Sequence, residues 1–444
     1  MTGHHVMAPP HVGLPKVAYG DGVWLVDDRG RRYLDASSGA VAASLGHGNE
    51  RLAQAIADQA GMVAFAHRIH FRNDPVERLA EGLAALAPGD LDHTILLSSG
   101  SEANELAMKA ALRHWQERGR PGKQRILSRF GSYHGSTLGA LSATGHAGRR
   151  LPFLDLLHAY PDVVAPTCSR CPIGLEPSSC AAACLDDLER GILRAGADRV
   201  AAFIAEPIVG AGGGVLVPPP GYYERVRALC DRYEVLWIAD EVMSGCGRTG
   251  RWMASQHWDA VPDMVALGKG ISGGYMPLSA VMFSTEVAAA IGQSAAGLAA
   301  GHTYSNTPLP AAAGVATLEI MQELGLVDRA ARLGPVMSAM LTTCTADVAL
   351  VGEVRGVGLF WGLDLVADGA TMSPYAASLR VSDLVVDAAR AHGLIVYPAQ
   401  GTVDGSLGDA ILVAPPLIIT EDEIEQLGSR LRAALTDVER LLAT

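Results

Sequence analysis

Lysine is nearly missing from this 444-residue chain: of its 35 basic residues only Lys16, Lys109, Lys123 and Lys269 are lysines, and the rest are arginines. Scarcity alone says nothing of function, but it makes a lysine inside an apolar segment conspicuous. Basic charge is short overall as well. Set against 47 acidic residues it leaves a formal charge of -12, which argues against a nucleic-acid binder, since such proteins carry a basic face. No run reaches the roughly 18 to 20 uninterrupted apolar residues of a membrane span. The opening MTGHHVMAPPHVGLPKV lacks the charged-then-apolar order of a secretory leader. A cytoplasmic protein, partnered by neither membrane nor nucleic acid, is expected. Aromatics make up only 5%, so the core must be built from Ala, Leu and Val, with small residues allowing close packing. The seven cysteines are odd in number, and four of them crowd between positions 168 and 184, which is not the framework of a disulfide-bonded secreted protein.

What is present suits a two-domain enzyme that needs no cross-links. Gly22–Asp27 and Arg32–Asp35, separated by an Asp28-Arg29-Gly30 turn, read as a small hairpin. From Glu50 to Gly61 apolar residues recur at helical spacing. Short apolar runs then alternate with helices: His93–Leu97, Arg125–Ser128, Val200–Ala205, Val235–Ala239 and Met264–Leu267, with a helix from Glu102 to about Glu117. Near-continuous apolar strands between helices predict a mostly parallel sheet covered on both faces, whose ligands sit beyond the carboxyl ends of the strands. Beyond about Thr317, helices mix with short strands at Gly358–Gly362 and Ala410–Val413, as in a second, smaller α+β domain.

Polar residues follow each strand. Ser99-Gly100-Ser101-Glu102-Ala103 lies where a strand gives way to a helix, a place that suits either a bound phosphate or an ordinary serine cap. Neither the P-loop lysine nor a GxGxxG turn is present, which disfavours a nucleotide or dinucleotide site; Ala211-Gly212-Gly213-Gly214 runs into a proline-rich loop instead. Asp240 ends one strand, where a carboxylate needs a cation or strong donor. Leu267-Gly268-Lys269-Gly270 puts a lysine at the end of another: a side chain that either snorkels to the surface or, shielded from water, becomes a nucleophile toward a carbonyl. A phosphate cradle, a buried aspartate and a buried lysine together are the requirements of pyridoxal phosphate.

Here the motifs become specific. Asp240-Glu241-Val242, Gly247-Arg248-Thr249-Gly250 and Gly268-Lys269-Gly270 resemble the signature of the class III aminotransferases. Ser99–Asn104, Ser132–Thr137, Glu206-Pro207, His302–Ser305 and Ala414–Leu417 match further motifs of that family in order, over nearly the whole chain. The resemblance implies a fold type I α/β enzyme. Its expected parts are an N-terminal segment (1–60) contributing to the small domain, a large cofactor-binding domain (61–316) and a C-terminal small domain (317–444). It implies that Lys269 is the Schiff-base lysine and proton shuttle, that Asp240 pairs with the pyridine nitrogen, that Gly100 and Ser101 bind the phosphate, and that Tyr133 and Val242 flank the ring. His134 and Glu206 belong to the same cofactor set. Thr303 is expected to reach the phosphate of the neighbouring subunit in a homodimer with shared active sites. The activity implied is transfer of an amino group between an amine and a keto compound. A racemase, aminomutase or phospholyase on the same scaffold is the alternative, and a non-catalytic cofactor-binding regulator or a dehydrogenase follows further behind.

Two positions depart from the family. The arginine that ornithine-type members carry two residues before Ala414, where it binds the α-carboxylate and pairs with the glutamate equivalent to Glu206, is Leu412 here. The mobile arginine that amine-type members carry about ten residues before that motif falls on Gly405. Either the donor lacks an α-carboxylate or another arginine serves; Arg68 and Arg72 lie where the family's substrate entrance is found, though solvent-facing roles suit them as well. Cys168-x2-Cys171-x8-Cys180-x3-Cys184 has ligand-like spacing, the last two one helical turn apart, and reads either as a reduced thiol patch or as a structural zinc site. No metal is assigned.

Overall fold

The computed structural model describes residues 13–171, 173–176, 180, 183–293 and 297–443. Its centre is a seven-stranded sheet in the order His93–Leu97, Ser279–Phe283, Met264–Leu267, Leu236–Asp240, Val200–Ala205, Arg125–Arg129 and Pro161–Val163. The last five run parallel, and Ser279–Phe283 is antiparallel to both of its neighbours. Every residue of Val200–Ala205, Leu236–Asp240 and Met264–Leu267 is buried, which is why these strands read as unbroken apolar runs. Pro161–Val163 and the antiparallel Ser279–Phe283 were not among the expected strands. The first is too short to show a pattern. The second is as apolar as its neighbours, and nothing in its composition reports direction.

This arrangement decides where polar residues gather. His93–Leu97 and Met264–Leu267 are each antiparallel to Ser279–Phe283, so they point the same way as the other parallel strands. The carboxyl ends of His93–Leu97, Arg125–Arg129, Val200–Ala205, Leu236–Asp240 and Met264–Leu267 therefore share one edge of the sheet. Helices and loops bury the two faces in separate apolar clusters, one around Phe203, Trp237 and Tyr223, the other around Leu106, Ile204 and Ile238. Small residues dominate the second, with Ala103, Ala107, Ala110 and Ala111 letting the Gly100–Glu117 helix lie close against the sheet.

A further cluster joins the two ends of the chain. Val23, Leu34, Leu45 and Leu52 from the N-terminal segment pack with Leu333, Leu363, Ile411 and Leu431 from the last third. The hairpin Trp24–Asp27/Arg32–Asp35 forms as expected and extends by a parallel pairing of Leu34 with Leu394. A second sheet is built on Phe360–Asp368, with Val351–Val357 on one side and Asp409–Val413 on the other. Among the described residues no helix is long and apolar enough to cross a membrane.

Candidate active site

Where the parallel strands end, one cavity of about 180 Å³ is lined by Gly100, Ser101, Asn104, Tyr133, His134, Gly135, Glu206, Ala211, Asp240, Val242, Met243 and Lys269. Eight of these come from the nine site residues expected from sequence. The ninth, Thr303, is exposed on the turn around 301–307 and does not line the cavity.

The helix Gly100–Glu117 opens onto the cavity. Ser99 accepts the Glu102 N–H at 3.2 Å and caps it, which leaves the first-turn N–H groups of Gly100 and Ser101 for an anion. Gly100 must be glycine, because a Cβ there would lie 2.6 Å from Val242 Cγ1. Val242 thus closes one side of the cavity, and Tyr133 stands among the lining residues with its N–H donated to Glu206 Oε1 at 2.9 Å and its hydroxyl 3.0 Å from Ser136 Oγ.

Asp240 is 4% exposed and well held. Its Oδ2 accepts from His134 Nδ1 at 2.8 Å and from Asn104 Nδ2 at 2.7 Å, and its Oδ1 accepts the Val242 N–H at 3.1 Å. Since a carboxylate only accepts, His134 carries its proton on Nδ1. His134 Nε2 and Asn104 Oδ1 are left buried without a partner among the described residues, an unsatisfied state that a polar ligand would relieve. Asn104 lies at the end of the Ser99–Asn104 motif, where its residue type alone points to no role. It lies three residues after Ser101 on the same helix, so it shares the cavity-facing side.

Lys269 follows the Met264–Leu267 strand at φ +48, a left-handed conformation uncommon for a side-chain-bearing residue, and its Nζ donates to Ala40 O at 3.1 Å. Burial pushes its amine below the ordinary lysine range, against the opposing pull of the Asp240 and Glu206 charges. Glu206 receives two N–H groups, from Tyr133 and, at 2.8 Å, from Gly210. Burial drives its carboxyl up, resisted by His134 and reinforced by Asp240.

The residues fit pyridoxal phosphate: anion donors at a helix start, a carboxylate fixed by three donors, a lysine of lowered basicity, and orphaned polar atoms on the wall. No feature of the lining conflicts with that group.

The two departures are explained by their surroundings. Leu412 is fully buried in an apolar cluster with Ile208, Val215 and Phe360. Gly405, at φ +87, is pressed against the next segment: Gly148 N donates to its carbonyl at 2.9 Å, and a Cβ would meet Ala147 N at 2.3 Å. Neither position has room for a cation. Arg68 and Arg72 are exposed and outside the cavity; Arg68 donates to His302 O at 3.1 Å and Arg72 pairs with Glu77 at 3.1 Å. All four crowded cysteines line a small apolar pocket of about 20 Å³ with free thiols, and among the described residues no group is placed to hold a metal. The helix that follows runs from Leu185 to Ala195 with Cys184 at its N-cap, and the turn expected between Cys180 and Cys184 passes through residues outside those described.

A family model, Aminotransferase class-III, matches residues 8–435. The chain is a class III aminotransferase, an enzyme dependent on pyridoxal phosphate. An uncharacterized aminotransferase of Bacillus subtilis, YodT, is 41% identical over 428 residues, 96% of each chain. An (S)-enantioselective omega-transaminase from Thermomicrobium roseum superposes with a TM-score of 0.91 at 36% identity, over 96% of this chain and 93% of that one. The omega transaminase of Pseudomonas jessenii in complex with PMP gives 0.90 at 33% identity, over 97% and 94%.

Proposed function

We propose that this transaminase takes its amino group from an amine or ω-amino compound without an α-carboxylate and gives it to a keto acid or aldehyde. The observation that carries the donor class is the packing at Leu412 and Gly405, which leaves neither of the two family positions with a cation for a donor carboxylate. Such a carboxylate would forgo a bidentate charge-assisted pair. The omega-transaminase neighbours support the same reading.

Bound pyridoxal phosphate supplies an electrophilic carbonyl carbon and a ring that, protonated on nitrogen, withdraws electrons from the substrate. The chain's own residues do the rest. Lys269 would hold the cofactor covalently, and its Nζ, of lowered basicity, would carry the proton to and from the substrate carbon. Asp240, anchored by His134 and Asn104, would keep the ring nitrogen protonated. Gly100 and Ser101 would hold the phosphate, and Tyr133 and Val242 would flank the ring. Glu206 fixes the Tyr133 backbone.

Thr303 completes the phosphate site of a second copy in a homodimer. Exposed Ile69, Phe71 and Tyr304 near that turn support an interface there. The N-terminal segment (1–60, described from residue 13) contributes to a small domain made by 317–444, and 61–316 make the large one, a division supported by the core that the described parts of the first and last segments share. Seven free cysteines support a reducing, cytoplasmic setting.

A donor screen followed by the cofactor's absorbance change tests the substrate reading. Putrescine is expected to exceed ornithine, which differs from it by the α-carboxylate that an arginine at position 412 would bind, in kcat/KM by roughly tenfold or more. Equal efficiency on both would overturn it.

A further inference from the structure

Beside the cofactor cavity lies a larger open one of about 950 Å³, lined among others by His146, Arg149, Arg380, Arg390, Gln400 and Gly405. Three of these are arginines, and their situations differ. Arg380 pairs with Asp383 at 2.5 Å and Arg390 with Asp387. Arg149 has no carboxylate partner among the described residues. Its guanidinium lies over the Tyr133 ring, whose centroid is 4.6 Å from its Cζ. Tyr133 lines the cofactor cavity, so Arg149 stands at the boundary between the two spaces, near enough for its charge to act on Lys269.

The segment that carries Arg149 is held in place by the loop that lacks an arginine. Gly148 N donates to Gly405 O at 2.9 Å, and His146 Nε2 lies 2.7 Å from Gln400 O. The contact that forbids a side chain at 405 therefore fixes the strand of backbone from which Arg149 projects. A guanidinium stacked on an aromatic face keeps its in-plane N–H donors free for a planar acid group.

We propose that Arg149 binds the carboxylate of the keto-acid acceptor at the mouth of the cofactor cavity. This rests on the transaminase reading of Lys269 and Tyr133, and it deepens that reading by assigning the acceptor an anion site where the donor needs none. A charge-assisted pair here discriminates between the two halves of the reaction: the acceptor uses it and an uncharged amine tail does not.

The test is Arg149→Gln and Arg149→Lys in the holoenzyme, with pyruvate as acceptor and 1-phenylethylamine as donor. Arg149→Gln is expected to raise KM for pyruvate roughly 10- to 100-fold, with Arg149→Lys between it and wild type. The amine half-reaction, followed by the cofactor's absorbance, is expected to lose at least about fivefold less than the pyruvate half-reaction, the part common to both being the effect of the Arg149 charge on Lys269. Calorimetric binding of propionate, an unreactive carboxylate, should weaken in parallel in Arg149→Gln. A pyruvate KM within about twofold of wild type overturns the proposal. So does an equal loss in both half-reactions, or a loss of cofactor affinity in place of the acceptor effect, since either makes Arg149 a support for Tyr133 only. Failure of the wild type to use any amine would instead strike the donor reading, and the propionate measurement would still decide the role of Arg149.

Discussion

Lys123 and Lys269 are two of only four lysines in the chain, and both are shielded from water, yet their surroundings differ in one respect that separates structure from chemistry. Lys123, 1% exposed, donates to the carbonyls of Ala197, Val200, Tyr233 and Glu234 at 2.6 to 3.4 Å, with its Nζ 4.5 Å from the Trp115 ring centroid. Its ammonium is saturated, and it ties together three chain segments that approach the sheet from its amino-terminal side. Lys269 has a single carbonyl, from Ala40, and faces a cavity with two carboxylates on its wall. A saturated amine has no lone pair or proton to spend. An under-coordinated one beside an open cavity has both.

The largest effect that could break this comparison is chemical. Lys269→Ala is expected to lower transamination by roughly 10⁴-fold, while the urea midpoint of the cofactor-free protein stays near or above that of wild type, since a poorly partnered buried charge is removed. Borohydride reduction followed by peptide mass mapping should place the cofactor on Lys269 in wild type; a label on Lys123, or persistence of the covalent adduct in the variant, would contradict the assignment. Next in size is stability. Lys123→Met leaves four carbonyls without their donor and is expected to cost about 3 kcal/mol of unfolding free energy, read by urea titration, with unchanged kcat for the folded fraction. A variant as stable as wild type would erase the distinction between the two lysines.

The smallest effect concerns pH. Burial lowers the Lys123 ammonium from 10.5 to about 8, so between those values the unfolded chain binds the extra proton and the folded one does not. The corresponding stability is present above pH 10.5 and is lost as pH falls through about 8. The difference in unfolding free energy between wild type and Lys123→Met should therefore widen as pH rises from 8 to 10.5. A flat difference would mean that the four carbonyls hold the charge against burial.

Much of the site was legible because its chemistry sits at strand ends. Asp240, Lys269 and Gly100-Ser101 each follow an apolar run directly, so the strand pattern and the residue type could be read together. Asn104 was hidden inside a helix whose composition is otherwise ordinary. Arg149 could not be found from sequence at all: it is one of 31 arginines, this count being the 35 basic residues less four lysines. Its distinction lies in the Tyr133 ring face beside it, the lack of a carboxylate partner among the described residues, and the contact of its neighbours Ala147 and Gly148 with Gly405, more than 250 positions away.

The sequence by itself determined the alternation of strands and helices and the residues most suited to hold pyridoxal phosphate, because these depend on local apolar period and on residue types at strand ends, while the class of enzyme followed from the resemblance of its motifs to a family. Tertiary structure decided what depends on distant segments meeting. The antiparallel Ser279–Phe283 strand sets His93–Leu97 and Met264–Leu267 in the same direction, so that their carboxyl ends meet at the cavity. The packing of Gly405 on Ala147 turns the absence of an arginine from a gap in a motif into a steric fact. The difference between a structural and a reactive lysine is likewise a matter of how many carbonyls arrive from elsewhere, and no period or motif in the chain encodes that number.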